Sequence, residues 1–121
     1  MEKHHTITHI EIPAPDLAKA IGFYAAVFKW QTTIINPDLY AYFMIGDTQS
    51  GGGLDASLKP APEKCGPQIV IDVEDIEETL QKIQEHGGAV TLPKTPIDGG
   101  HGFYAGFRDP NGNHMQIHAM K

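Results

Sequence analysis

The feature that most constrains this chain is that its pattern of elements runs twice. THIEI (8–12) alternates polar and apolar residues, as a half-buried strand does. PAPDLAKAIGFYAAVFKW follows, with Leu17, Ala20, Ile21, Tyr24, Val27 and Phe28 at helical spacing behind Asp16, a good N-cap, and an end expected near Lys29 or Trp30. Strands are expected over 32–35, 39–45 and 51–58. Turns fall at Asn36-Pro37-Asp38 and Gly46-Asp47. After KPAPEKCGP the order restarts. QIVIDV (68–73) is a strand, and Asp75 with Glu78 opens a helix striped by Ile76, Leu80 and Ile83. His86-Gly87-Gly88 stops that helix, and AVTL (89–92) is a strand that Pro93 should end. A loop over 94–102 and strands over 103–107 and 114–120 complete the second set. His9 to Asp16 and Gln68 to Asp75 are both seven residues, and the two helix openings are 59 residues apart. The reading is an α+β domain over 1–121, with a βαβββ module over 6–58, a linker over 59–67 and a second module over 68–120.

Each helix needs one sheet face to bury its stripe. Ile10 and Ile12 are expected to face the first helix, and Ile69, Ile71 and Val73 the second. His9 and Glu11 then share the opposite face of one sheet, and Gln68, Val70 and Gln116 that of the other. Polar side chains are costly on a buried, unpaired face. A hollow holding water or a ligand removes the objection.

Composition narrows the partners. Fifteen acidic and nine basic residues give a net charge of −6, which argues against a polyanion such as nucleic acid. No apolar run approaches the roughly 18–20 residues that span a membrane, and the start of the chain lacks a signal-peptide core. Cys65 is the single cysteine, so no internal disulfide forms, and a cytoplasmic setting is expected. Its Pro/Lys/Gly-rich surroundings mark an incidental loop thiol. GGGLD has neither the lysine nor the context of a phosphate loop. It reads as a strand whose backbone passes close to a neighbour.

THIEIPAPDLAKAIGFYAAVFKW, GGGL, VEDIEETLQKIQEHGG and GFRDPNGNHMQI, in that order, resemble the vicinal-oxygen-chelate superfamily over nearly the whole chain. That superfamily includes glyoxalase I, ring-cleaving dioxygenases, fosfomycin- and bleomycin-resistance proteins and methylmalonyl-CoA epimerase. The nearest likeness is to small glyoxalase-like, lactoylglutathione-lyase-related proteins. The resemblance implies a curved, partly open mixed sheet around a central cavity, and a homodimer is compatible with it. It places metal ligands at His9, near Gly52 or Gly53, at Gln68 and at Gln116. Of these His9 is a good donor, the two glutamines offer neutral amides, and glycine offers no side chain. Divalent transition metals favour imidazole, thiolate or carboxylate. The expectation is therefore that no cofactor is required, or that a divalent metal is weakly held.

Three readings follow. One is a protein that binds a small molecule in its cavity without a tight metal. The second is a metal-dependent lyase, isomerase or dioxygenase acting on a small oxygenated substrate. The third is an enzyme that uses His9, Glu11 or His101 as acid or base without a metal. The residues leave open whether it is an enzyme. Glu11 and His101 are the candidate acid–base groups, the latter in a glycine-rich loop. His9, Gln68, Gln116, Tyr42 and Phe103 are the candidate ligand contacts. Phe103 and Tyr104 are neighbours, so one should face the cavity and one the core. HMQIH sets His114, Gln116 and His118 on one side of the last strand, with Gln116 lining the pocket.

Overall fold

The computed structural model describes residues 5–46 and 50–121, so Asp47 of the expected Gly46-Asp47 turn lies outside the described residues. The elements run β1 (Ile10–Pro13), α1 (Leu17–Phe28), β2 (Gln31–Asn36), β3 (Tyr40–Met44), β4 (Gly51–Asp55), β5 (Val70–Asp72), α2 (Ile76–Glu85), β6 (Ala89–Pro96), β7 (Phe103–Arg108) and β8 (His114–Ala119). The fold is α+β, two tandem βαβββ modules. Each module is a four-stranded mixed sheet, ordered β1-β4-β3-β2 and β5-β8-β7-β6. In each, the first strand pairs parallel with the last and the others pair antiparallel.

Local chemistry sets the helix ends. The Asp16 side chain accepts from the Lys19 amide (3.2 Å), and that of Asp75 accepts from the Glu78 amide (3.1 Å). Lys29 takes a left-handed conformation to close α1, and Gly87 has positive φ just past α2.

The sequence misplaces some strand ends. β6 continues through Pro93 to Pro96, so the loop is 97–102 and not 94–102. The reason is position: β6 is an outer strand, with register shifts at Val90/Leu92 and Leu92/Thr95, and an edge tolerates prolines that a central strand does not. β5 is three residues long, so Gln68 precedes it. There its amide donates to the Gly66 carbonyl (3.2 Å).

No strand of one sheet comes within 8 Å, Cα to Cα, of a strand of the other among the described residues. The modules join through their helices and one shared core. Phe23 and Phe28 of α1 meet Phe107 of β7 at 6.1 and 5.8 Å, and Tyr24, Trp30 and Phe43 stack in series at 4.9 and 4.6 Å. Burying one such ring contributes about 1.5–3 kcal/mol. Ile12, 1% exposed, lies in this core. Ile10, on the same face, is 38% exposed.

The DPNGN turn is the clasp between modules. Asp109, 2% exposed, accepts from Tyr24 Oη (2.7 Å), Asn113 Nδ2 (2.8 Å) and the amides of Asn111 and Asn113 (both 2.9 Å). Asn113 also donates to the Pro13 carbonyl (2.6 Å). Asn111 exchanges two bonds with the Asp16 backbone. Burial, and then the charge and hydrogen bond of Asp109, push the Tyr24 phenol well above its ordinary range.

Candidate functional site

With both helices on the inner faces, the outer face of each sheet is open. In the first sheet Glu11, Gly53, Tyr42 and Thr33 lie in register across four strands, so they share that face. Their neighbours Ile12, Leu54, Ala41 and Phe43 point the other way and are buried. Tyr42 and Met44 on the open face are about half exposed.

Three polar groups are joined here. Glu11 Oε2 accepts from Tyr40 Oη (2.8 Å) and pairs with His9 Nε2 (2.6 Å). Tyr40 Oη is 3.4 Å from the same His9 nitrogen, Tyr40 packs edge-on against Tyr42 at 5.2 Å, and His9 does so against Tyr42 at 6.4 Å. Gly53 makes the meeting possible, since a Cβ there would run into the Tyr40 hydroxyl and the Glu11 carboxylate. Gly52 faces the other side, where a Cβ would collide with the Ile10 backbone. Close passage, read from GGGLD, is what the glycines provide. Desolvation, and next the Glu11 hydrogen bond and charge, hold the Tyr40 phenol well above the usual range.

The second sheet's open face carries Val70, Gln116, Gly106 and Leu92 in one row and Asp72, His118, Tyr104 and Thr95 in the next. The alternation of β8 is as the sequence implies: Met115, Ile117 and Ala119 are buried, and His114, Gln116 and His118 lie on the other face. Gln68, Gln116, Tyr104, His114, Thr91 and Lys64 line a groove of about 390 Å³. His114 Nδ1 is buried there with no hydrogen-bond partner among the described residues. At the next row His118 is held at both nitrogens, by Asp72 Oδ1 (2.6 Å) and the His101 carbonyl (2.8 Å). The Asp72 bond, then the carbonyl, raise its pKa.

The candidate residues thus separate. His9, Glu11 and Tyr42 come together on the first sheet, and Gln68 and Gln116 line the groove of the second module. His101 is exposed in its loop and engages through its carbonyl, not its ring. Phe103 belongs to the inner face: it pairs with Ala119, packs partly buried against the core, and has Lys94 Nζ 4.3 Å above its ring. Tyr104 is the ring on the open face. Tyr40 is the residue that sequence reasoning undervalued. It shares the parity of Tyr42, and the glycine at 53 was the signal that something must lie over β4.

Within one chain the expected metal donors do not converge. His9 Nε2 is directed at Glu11, the two glutamines line the groove of the other module, and no group of three His, Cys, Asp or Glu side chains among the described residues could hold an ion. A further groove of about 640 Å³ runs between the modules, with His9, Ile10, Val27, Phe28 and Trp30 on one bank and Ile69, Val70, Ile71 and Val73 on the other. No described helix is long and apolar enough to cross a membrane.

A sequence profile described as Glyoxalase/Bleomycin resistance protein/Dioxygenase superfamily matches residues 6–117. A "Glyoxylase-like domain-containing protein" of Didymella fabae is 30% identical over 94 residues, 73% of each chain. A "Probable lactoylglutathione lyase" of Vibrio cholerae is 28% identical over 124 residues, covering 94% of this chain and 90% of that one. Among solved structures, hypothetical protein SA1046 from S. aureus superposes with TM-score 0.73 at 24% identity, covering 97% and 95% of the two chains. The fosfomycin resistance protein FosX of Listeria monocytogenes, complexed with Mn(II) and sulfate, gives 0.78 at 18% identity, covering 97% and 91%.

Proposed function

The chain belongs to the Glyoxalase/Bleomycin resistance protein/Dioxygenase superfamily, and from that premise we propose that it binds a small oxygenated molecule over the His9–Glu11–Tyr40–Tyr42 face. In this reading a second copy supplies the opposite wall through its own Gln68, Tyr104, His114 and Gln116. The observation that carries it is the placement of the polar groups. Each sheet keeps its chemistry on the face its helix does not cover, and one chain does not bring the two faces together. Either face alone is half a pocket.

The edges of the sheets support a second copy. β1 and β5 are outer strands whose free edge pairs with no strand among the described residues, and Ile10 of β1 and Val70 of β5 are exposed. Unpaired apolar edges are stable when another strand or chain covers them. A two-fold pair would bring β1 of one copy to β5 of the other, in keeping with self-complementary interfaces.

Binding without a tightly held metal is the reading the mapped donors favour. The imidazole and the nearest carboxylate are already hydrogen-bonded to each other, and at the mapped positions 68 and 116 the second module offers neutral amides. An ion at His9 Nε2 would compete with a 2.6 Å pair. What the chain's own residues supply is a carboxylate acceptor, a phenol donor and aromatic walls.

The test is a thermal-shift screen of small hydroxylated, dicarbonyl and thioether-linked molecules against the wild type and Glu11→Gln, with metal content measured on protein purified without chelator. A ligand at about 100 times its Kd stabilises by about 2.7 kcal/mol. The proposal expects hits that Glu11→Gln loses, substoichiometric metal, and a dimer by light scattering. Hits that ignore Glu11, or a stoichiometric divalent ion whose removal abolishes binding, would favour the metal-dependent reading.

A further inference from the structure

The two oxygens of Glu11 are in unequal states. Oε2 holds two partners, Tyr40 Oη and His9 Nε2, while Oε1 has none among the described residues. A carboxylate held at one oxygen by two donors from different strands has its orientation restricted, and with it the direction of its other oxygen. Gly53 leaves the floor beneath it clear, and Tyr42 braces the Tyr40 ring from the side. The phenol's resistance to ionisation keeps it a donor at any ordinary pH. Among the described residues the fixed charges on this face are those of Glu11 and Asp55, and Asp55 is occupied by the Ser57 amide and hydroxyl (2.8 and 2.6 Å). The cation of the other groove, Lys64, lies next to Glu63.

We infer that Tyr40 is the positioning residue of this face: by gripping Oε2 it leaves Oε1 as a fixed acceptor, and the ligand that suits it is a neutral molecule donating a hydroxyl or N–H, not an anion. The inference rests on the ligand face proposed above and specifies its chemistry. His9 alone does not secure the geometry, because one bond to a carboxylate oxygen leaves the plane free to turn. Two donors at one oxygen, from β1 and β3, define it.

The experiment uses 4-nitrophenol as a neutral hydroxyl donor and 4-nitrobenzoate as an anion of similar shape, followed by absorbance just below the phenol's own ionisation. The wild type is expected to bind the phenol about tenfold or more tighter than the benzoate, with a red-shifted bound spectrum from donation to a carboxylate. Tyr40→Phe should weaken phenol binding about tenfold, shrink the red shift and narrow the preference over benzoate, with its unfolding temperature little changed. Glu11→Gln should abolish the red shift. Unchanged affinity and spectrum in Tyr40→Phe would overturn the positioning role. A wild type that prefers benzoate, or binds neither probe, would overturn the ligand class. In each of these cases the proposed face survives if the small-molecule screen still yields hits that depend on Glu11. It falls if every binder treats the wild type and Glu11→Gln alike.

Discussion

Two tyrosine–carboxylate bonds of nearly equal length sit in this protein, Tyr24 to Asp109 at 2.7 Å and Tyr40 to Glu11 at 2.8 Å. In both, the phenol is pushed up by burial first and the carboxylate second. Their surroundings differ. Asp109 is buried between the modules, and four donors use both of its oxygens. Glu11 has a side chain 38% exposed, two partners on one oxygen and no partner on the other among the described residues. A saturated, buried carboxylate can only hold structure. A half-satisfied, open one has capacity for something else.

Mutations should separate the two. The largest effects belong to the joint between modules. Phe107→Ala should cost about 3–5 kcal/mol by denaturant unfolding, as a buried ring lost from a packed core does. Asp109→Ala should cost about 2–4 kcal/mol, because it strands Tyr24 and two amides. Either result below about 1 kcal/mol would mean that the modules do not depend on this joint.

Glu11→Gln tests the other carboxylate. Unfolding free energy should move by less than about 0.5 kcal/mol, while ligand binding falls at least about tenfold. A loss of stability as large as that of Asp109→Ala would erase the distinction drawn here. The neighbouring glycines sharpen it further. Gly52→Ala drives a Cβ into the Ile10 backbone and should destabilise by about 2 kcal/mol or more. Gly53→Ala meets side-chain ends, so stability should hold within about 1 kcal/mol while binding is lost.

The smallest effect is electrostatic. The folded pKa of His118 is raised by Asp72 and the His101 carbonyl. Its contribution is therefore complete below the unfolded value of about 6.5 and fades as pH rises through the folded one. The unfolding temperature of wild type minus that of His118→Gln should shrink as pH climbs from about 5.5 to 8.5. A difference that grows over that interval would contradict the assignment.

Much of this was legible in the chain. Caps at Asp16 and Asp75 and the alternation in HMQIH are local effects, and local effects are written locally. The tandem modules followed from them. What the sequence hid depends on distance. Asn113 reaches the Pro13 carbonyl, 100 residues away, so DPNGN reads as a turn and not as a clasp. Pro93 and Pro96 forbid a central strand, but nothing local says that β6 is an edge. Phe103 and Tyr104 differ by one step of parity, and pairing with β8 decides which is inside. The site was half visible: His9 and Glu11 share a face by spacing, whereas Tyr40 reaches Glu11 over a glycine of the strand between them.

The account's central claim is that an open face of one chain and the other open face of a second form the binding site. It is tested most directly by mixing two defective chains, one carrying Glu11→Gln and the other Gln116→Ala, and measuring 4-nitrophenol binding after subunit exchange. Random pairing makes about half the dimers mixed, and each of those joins one intact first face to one intact second face. The account predicts recovery of about a quarter of the wild-type sites. Binding no greater than the sum of the two parents would contradict it.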